Sequence, residues 1–592
     1  MKTKPNQPCP CGSGIKFKKC HGSPVKVVEK KVTVSELLKQ SDALLLNNQL
    51  DAAENAIQEA IRLAPASLDA WQALGNLAEK LGDFEAAKEC YQHLLTLDPT
   101  SVLGYFLLGN LFYRLSAFLE AQKAYKQAIH INQQLPEVWG NLGNVEKYLG
   151  NFQEAINCYY RSVACHTDVT QKARLHSNLL FSLHYDQTLS HDIIFQAHRK
   201  WAADYAQDYY PIHPAWLNST EPKRQLRLGY VSGSFNGLIV GHFLDSVFSA
   251  HNPENFHLIV YSSTLHKDAK TEKLSQLCQE WVDIVHLDDD AVAERIQRDA
   301  IDILIDLDGH SPTGRPLLFA RKPSPIQVAW LDYFNTTGMA AMDYIITDTF
   351  TTPIDSPQCF SETVIRLPDT RFCYTPPVYA PAVSEIPCLA GKAFTFGSFN
   401  RQDKLHPELI RIWAEILHAT PGSRLLLKNR ALGVPAVKAA LEARFSQQGI
   451  SIERLILRGA SPHVDMLLEY SDIDVALDTF PYNGGLTSCE CLWMGIPIIA
   501  LEGQRMVERQ TSSMLRLLGL DAWVASSIDA YIALAVKASL TQNHAKLTLL
   551  RHQLRAQMAA SLLCDATRFT QNLEAAYRFM WEVYCKNNPA SL

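Results

Sequence analysis

Residues 473–503, IDVALDTFPYNGGLTSCECLWMGIPIIALEG, decide how the larger part of this chain folds. A short apolar run ends at the acidic Asp478. Pro481, Asn483 and the pair Gly484–Gly485 then mark a turn, Thr487 and Ser488 open a helical pattern, and a second apolar run follows Pro497. Apolar runs joined through a helix read as strands of a parallel sheet buried on both faces. The turn also has a chemical reading. Asn483, Gly484 and Gly485 let backbone amides, with the hydroxyls of Thr487 and Ser488, point at an anion at the positive end of the new helix. A glycine-rich turn alone is usually only a turn, so its neighbours must support the anion reading.

The same rhythm extends outward. LRLGYVS, HLIVYSS, IDILIDLDGH, IQVAWLDY and DYIITD form one series; FTFGSFN, RLLLKN, RLILRG, IDVALDTF and IPIIALEG form a second, after a proline-rich stretch near 375–390. Two series predict two Rossmann-like α/β lobes, 223–385 and 386–592, the second ending in C-terminal helices. Ligands of such sheets sit beyond the carboxyl ends of the strands. That singles out the loops 232–242, 306–315, 331–338, 400–404, 458–463 and 478–490. Lys404 supplies a full positive charge in the lobe of the glycine turn, and Glu490, one turn into the helix, can accept hydrogen bonds from a sugar or ribose.

Ahead of the lobes the chain repeats. Trp71, Tyr105 and Trp139 are spaced by 34, as are Gly75, Gly109 and Gly143, and Tyr91, Tyr125 and Tyr159. This is the tetratricopeptide period, and it predicts an all-α superhelix of about four helix hairpins over 34–169, followed by a helical connector, 170–222. Asn76, Asn110 and Asn144 share the register. Their amides suit a grip on the backbone of an extended peptide, although a polar residue beside a glycine on a solvated face needs no such role.

At the N-terminus, PCPCGSGIKFKKCHG groups Cys9, Cys11, Cys20 and His21, four ligands of the kind tetrahedral zinc takes. CGSG and KKCH resemble the SEC-C motif, which implies a small zinc knuckle over 1–22, with 23–33 as a linker. The remaining cysteines are scattered and read as reduced thiols. With 55 basic and 61 acidic residues there is no general electrostatic case for nucleic acid or an anionic membrane. No apolar run reaches signal-peptide or membrane-span length, so the expectation is a soluble, cytoplasmic protein.

Tetratricopeptide units followed by LRLGYVSGSF, DLDGHSPTGR, PIQVAWLDYFNTTGMAAMDY, FGSFNRQDK and ALDTFPYNGGLTSCECLWMGIP resemble bacterial O-GlcNAc transferases of the SPINDLY type, over about residues 34–585. The resemblance implies a GT-B fold and an inverting, metal-independent transfer of a sugar from a UDP-sugar, UDP-GlcNAc before others, to Ser or Thr of polypeptide acceptors held by the repeats. It implies that Lys404 neutralises the diphosphate, that Thr487 donates to it, and that Glu490 holds the ribose. His242 matches the second histidine of a paired-histidine loop, and Asn335, Thr336, Thr337 and Gly338 match a loop near the sugar. His242 is the first choice for the base that takes the acceptor's proton, His310 the second, with Asp306 and Asp308 nearby.

Departures from eukaryotic members cluster around the donor. Leu238 replaces the first histidine of the pair, Gly485 and Met466 replace histidines, Leu486 replaces a hydroxyl residue, and Arg401 stands in place of a small amide. They leave the sugar open and keep two alternatives in view: a catalytically silent repeat scaffold, and a transferase using another UDP-hexose or a non-protein acceptor. A homodimer is also left open.

Overall fold

The computed structural model describes residues 4, 6–20, 32–212, 216 and 218–588. The chain divides into two compact units, Met1–Leu111 and Phe112–Leu592, and the division falls within the helix Val102–Arg114.

The first unit begins with a small knuckle. Pro8 pairs antiparallel with Lys16, the Cys9 amide donates to Ile15 O at 2.9 Å, and a one-turn helix, Phe17–Cys20, follows. Two helix hairpins come next, Val34–Leu46 with Leu50–Leu63 and Leu68–Leu81 with Phe84–Leu97. Thr33, Ser67 and Asp83 start three of these helices by accepting from backbone amides in the first turn. Gly75 is required by close approach: a Cβ there would lie 2.4 Å from the Tyr91 ring.

The second unit carries the rest of the repeats, Phe118–Ile131, Pro136–Leu149 and Phe152–Cys165, then the connector helices Val169–Leu183 and His191–Trp201. Its first lobe is a seven-stranded, all-parallel sheet: β1 Leu226–Ser232, β2 Phe256–Ser262, β3 Glu280–Asp283, β4 Ile303–Asp306, β5 Ile326–Ala329, β6 Tyr344–Asp348 and β7 Thr363–Leu367. The second lobe holds β8 Thr395–Ser398, β9 Arg424–Lys428, β10 Leu455–Arg458, β11 Val475–Leu477, β12 Ile498–Leu501 and β13 Val524–Ala525, also all parallel. The orders are β3-β2-β1-β4-β5-β6-β7 and β10-β9-β8-β11-β12-β13, so both lobes reverse direction once. The switch points lie between β1 and β4 and between β8 and β11, which is where a ligand crevice opens.

Three strands carry no sequence signal. β3, β7 and β13 lie at sheet edges and are short or half-exposed, so they lack a continuous apolar run. The last helix, Ala566–Asn587, follows the second lobe in sequence but packs on the first. Trp581 Nε1 donates to Glu221 O at 3.2 Å, Arg578 Nη1 to Pro222 O at 2.7 Å, and the Tyr577 hydroxyl lies 3.3 Å from that of Tyr230. Among the described residues no helix is long and apolar enough to cross a membrane.

Candidate functional site

At the switch point of the second lobe, the loop after β8 meets the turn after β11. Lys404 Nζ donates to Asn400 Oδ1 at 2.9 Å and to Asn483 O at 2.6 Å, and lies 4.4 Å from the centre of the Tyr482 ring. Burial, then the nearby Arg401 charge, push its ammonium down to about 7, against the pull of Asp478 and Asp403. Asp478, raised to about 6 by burial, accepts from the Gly484 amide at 2.8 Å. Gly484 admits no side chain: a Cβ would sit 2.1 Å from Ser488 Oγ, whereas one on Gly485 would meet only Gln510 Oε1 at 3.6 Å. The helix Leu486–Trp493 starts at this turn. Thr487 Oγ1 reaches Asn400 Oδ1 at 3.4 Å, while Ser488 Oγ is turned inward to Thr511 Oγ1 at 2.8 Å. Glu490 accepts from His463 Nε2 at 2.7 Å, and the other nitrogen of His463 meets the Tyr379 hydroxyl at 2.8 Å. Asn400, Asp478, Tyr482 and His463 thus join the residues singled out in the sequence; Asp478 had a signal as the acidic end of a strand, the others none beyond their place in a loop.

In the first lobe the structure separates the expected residues. Thr336 Oγ1 donates to Glu362 Oε2 at 2.6 Å, and the Thr337 amide and hydroxyl both donate to Glu362 Oε1, the amide at 2.7 Å. Both threonines are fully buried, so their hydroxyls are committed inside the fold. Gly338, at φ 77°, lies against the His198 carbonyl and brings its loop to the connector. His310 is also inward: Nδ1 lies 2.9 Å from Ser177 Oγ and Nε2 2.9 Å from Thr337 O, with Trp201 and Tyr333 against the ring. With both nitrogens engaged and burial pushing it down to about 3, it ties connector to loop. His242 is different. Nε2 lies 3.2 Å from Gly237 O, its ring centre lies 5.8 Å from that of His463, and burial, then Lys270, push it down to about 4. A cavity of about 640 Å³ runs along the ends of β1 and β4, under the connector helix, with Asn236 and Leu238 of the His242 loop on its wall.

The asparagine register has a structural partner. Tyr91 OH donates to Asn76 Oδ1 at 2.8 Å, and Tyr159 OH to Asn144 Oδ1 at 2.8 Å. Glycine thus admits the tyrosine ring and the next residue accepts its hydroxyl; Asn110 holds the same register position. At the knuckle, the Cys9, Cys11 and Cys20 sulfurs lie within 4.8 Å of one another, a spacing one metal ion fits. His21 lies outside the described residues.

A model of glycosyl transferase family 41 matches residues 176–375 and 384–573. The chain belongs to this family. A SEC-C motif matches residues 6–23, and tetratricopeptide repeats match 68–101 and 136–164. Among the family's relatives, a petunia (Petunia hybrida) protein named "probable UDP-N-acetylglucosamine–peptide N-acetylglucosaminyltransferase SPINDLY" is 37% identical over 423 residues, 70% of this chain and 45% of that protein. Its tomato (Solanum lycopersicum) namesake is 35% identical over 420 residues, 70% and 45%. The chain therefore spans about half the length of the curated relatives it matches. A solved structure of a lysine-to-methionine mutant of Thermobaculum terrenum O-GlcNAc transferase is 34% identical, with a TM-score of 0.79, and covers 88% of this chain and 98% of its own. The two parallel-sheet lobes preceded by repeat helices are the GT-B arrangement that the sequence predicts.

Proposed function

We propose that this protein is a protein O-glycosyltransferase that moves a sugar, N-acetylglucosamine first among candidates, from a UDP-sugar to Ser or Thr of polypeptide acceptors, with inversion. The observation that carries this reading is the buried ammonium of Lys404, set beside a glycine turn and a helix start at the switch point of the second lobe. As the glycosidic bond breaks, negative charge builds on the departing UDP. Lys404, the Thr487 hydroxyl and the first amides of the helix stabilise that charge where it develops. Glu490 exchanges His463 for the ribose hydroxyls. His242 serves as the base: Nε2 faces a carbonyl and so keeps the proton, which leaves Nδ1 to take one from the acceptor hydroxyl. Its depressed pKa keeps it in the neutral, accepting form at pH 7. His310, Thr336 and Thr337 shape the first lobe's wall from behind.

The acceptor polypeptide is presented by the repeats. With Oδ1 of Asn76 and Asn144 taken by tyrosine, their amide N–H groups are what a peptide carbonyl would meet. Cys9, Cys11 and Cys20, with His21 as the fourth ligand, would hold a structural zinc that fixes the knuckle. Among the described residues no two cysteines form a disulfide, which supports a cytoplasmic setting. The test is calorimetric titration with UDP, UDP-GlcNAc, UDP-glucose and GDP, repeated with Lys404→Ala. Micromolar uridine-nucleotide binding, about −8 kcal/mol, that the variant loses supports the donor grip, and the order of affinities names the sugar and base. Absence of binding to all four ligands would favour the silent scaffold.

A further inference from the structure

Arg401 follows the end of β8 by three residues and immediately precedes the one-turn helix Gln402–Lys404. Lys404 is almost fully buried, yet the Arg401 side chain keeps 54% of its exposure. Both bonds of its guanidinium run through Nη2, one to the Tyr185 hydroxyl and one to Asp403 Oδ2 at 3.1 Å. Tyr185 OH also donates to Asp403 Oδ2, at 3.1 Å. The Tyr185 ring is clamped between Phe152 of the last repeat, 5.5 Å away, and Tyr482 of the donor turn, 5.0 Å away, both near-parallel. The guanidinium is therefore held through Nη2 by a tyrosine fixed in an aromatic stack, while Nε and Nη1 make no hydrogen bond among the described residues and the side chain stays half-exposed.

Lys404 by itself is an incomplete counter-charge. Two of its three protons are spent on Asn400 and Asn483, and position 486 of the helix start is leucine, which offers no hydroxyl. We propose that Arg401 is a second cationic contact to the donor's diphosphate, positioned by Tyr185 and Asp403 and sharing the charge with Lys404. The inference rests on the nucleotide-sugar reading of the site. A planar guanidinium with two free donors suits adjacent phosphate oxygens, and it stays charged where a buried lysine does not.

The experiment compares wild type, Arg401→Gln, Arg401→Lys and Tyr185→Phe in calorimetric titrations with UDP and with uridine. Arg401→Gln should weaken UDP about 10- to 100-fold and leave uridine unchanged. Arg401→Lys should recover part of the loss, and Tyr185→Phe should lose less than Arg401→Gln. A pH series with UDP-glucose, whose diphosphate diester does not titrate in this range, adds a readout that a merely structural role would not move: Arg401 repels the Lys404 charge, so Arg401→Gln shifts the alkaline decline of binding to higher pH. Unchanged UDP affinity in Arg401→Gln, equal losses for UDP and uridine, or an unmoved pH midpoint would overturn the proposal. Wild type that binds no UDP would instead sink the nucleotide-sugar reading beneath it.

Discussion

Donor binding should fall as pH rises through neutrality, and the structure sets the size of the effect. The folded environment of Lys404 lowers its ammonium from 10.5 to about 7, chiefly through burial. The charged form that faces the diphosphate is therefore present below about pH 7 and lost above it. For a single group titrating at 7, affinity drops by a factor (1 + 10^1.5)/(1 + 10^−1) between pH 6 and 8.5, roughly 30-fold or about 2 kcal/mol. Asp478, raised to about 6, titrates beside it in the same direction, because its ionisation adds repulsion toward the anion. The assay is calorimetry with a UDP-sugar, whose diphosphate diester has no proton to lose in this range. Lys404→Arg, charged throughout, should bind more weakly and keep only the shallow slope that Asp478 contributes near pH 6. A flat wild-type profile from pH 6 to 8.5 would refute the reasoning, since it would mean that Lys404 stays fully charged in the folded protein.

Further outcomes follow from close contacts. Gly484→Ala must displace Ser488 Oγ or the turn itself and should cost about 1–3 kcal/mol of stability with loss of donor binding, whereas Gly485→Ala should stay within about 0.5 kcal/mol, both read by thermal unfolding and calorimetry. Thr337→Val leaves buried Glu362 short of a donor and should lower stability by about 1–3 kcal/mol while leaving the donor Kd unchanged. Asn144→Ala removes the acceptor of the Tyr159 hydroxyl and should cost about 1 kcal/mol by urea unfolding; a larger fall in polypeptide-acceptor turnover than in stability would mark a peptide contact. Elemental analysis of purified protein should give one zinc per chain, lost together in Cys9→Ser and Cys20→Ser.

The sequence by itself determined whatever is written in a strand–helix unit or in the recurrence of one unit along the chain. The 34-residue period specifies the repeats, because each hairpin must bury the same face. The βαβ alternation specifies two parallel sheets, and the turn at 481–485 with its helix start specifies where an anion can be held, because turn chemistry and helix ends are local. Edge strands β3, β7 and β13 escaped, since a strand exposed along one side needs no apolar run. Only the tertiary structure decided which candidates face the cleft. Thr336, Thr337 and His310 carry suitable groups but turn inward to Glu362, Ser177 and a backbone carbonyl, and nothing in their own loops announces those partners. Tyr185 meets Arg401 across 216 residues, and the last helix crosses back to Glu221 across 360. Such pairings arise from how whole elements pack, and packing over those separations leaves no periodicity in the chain.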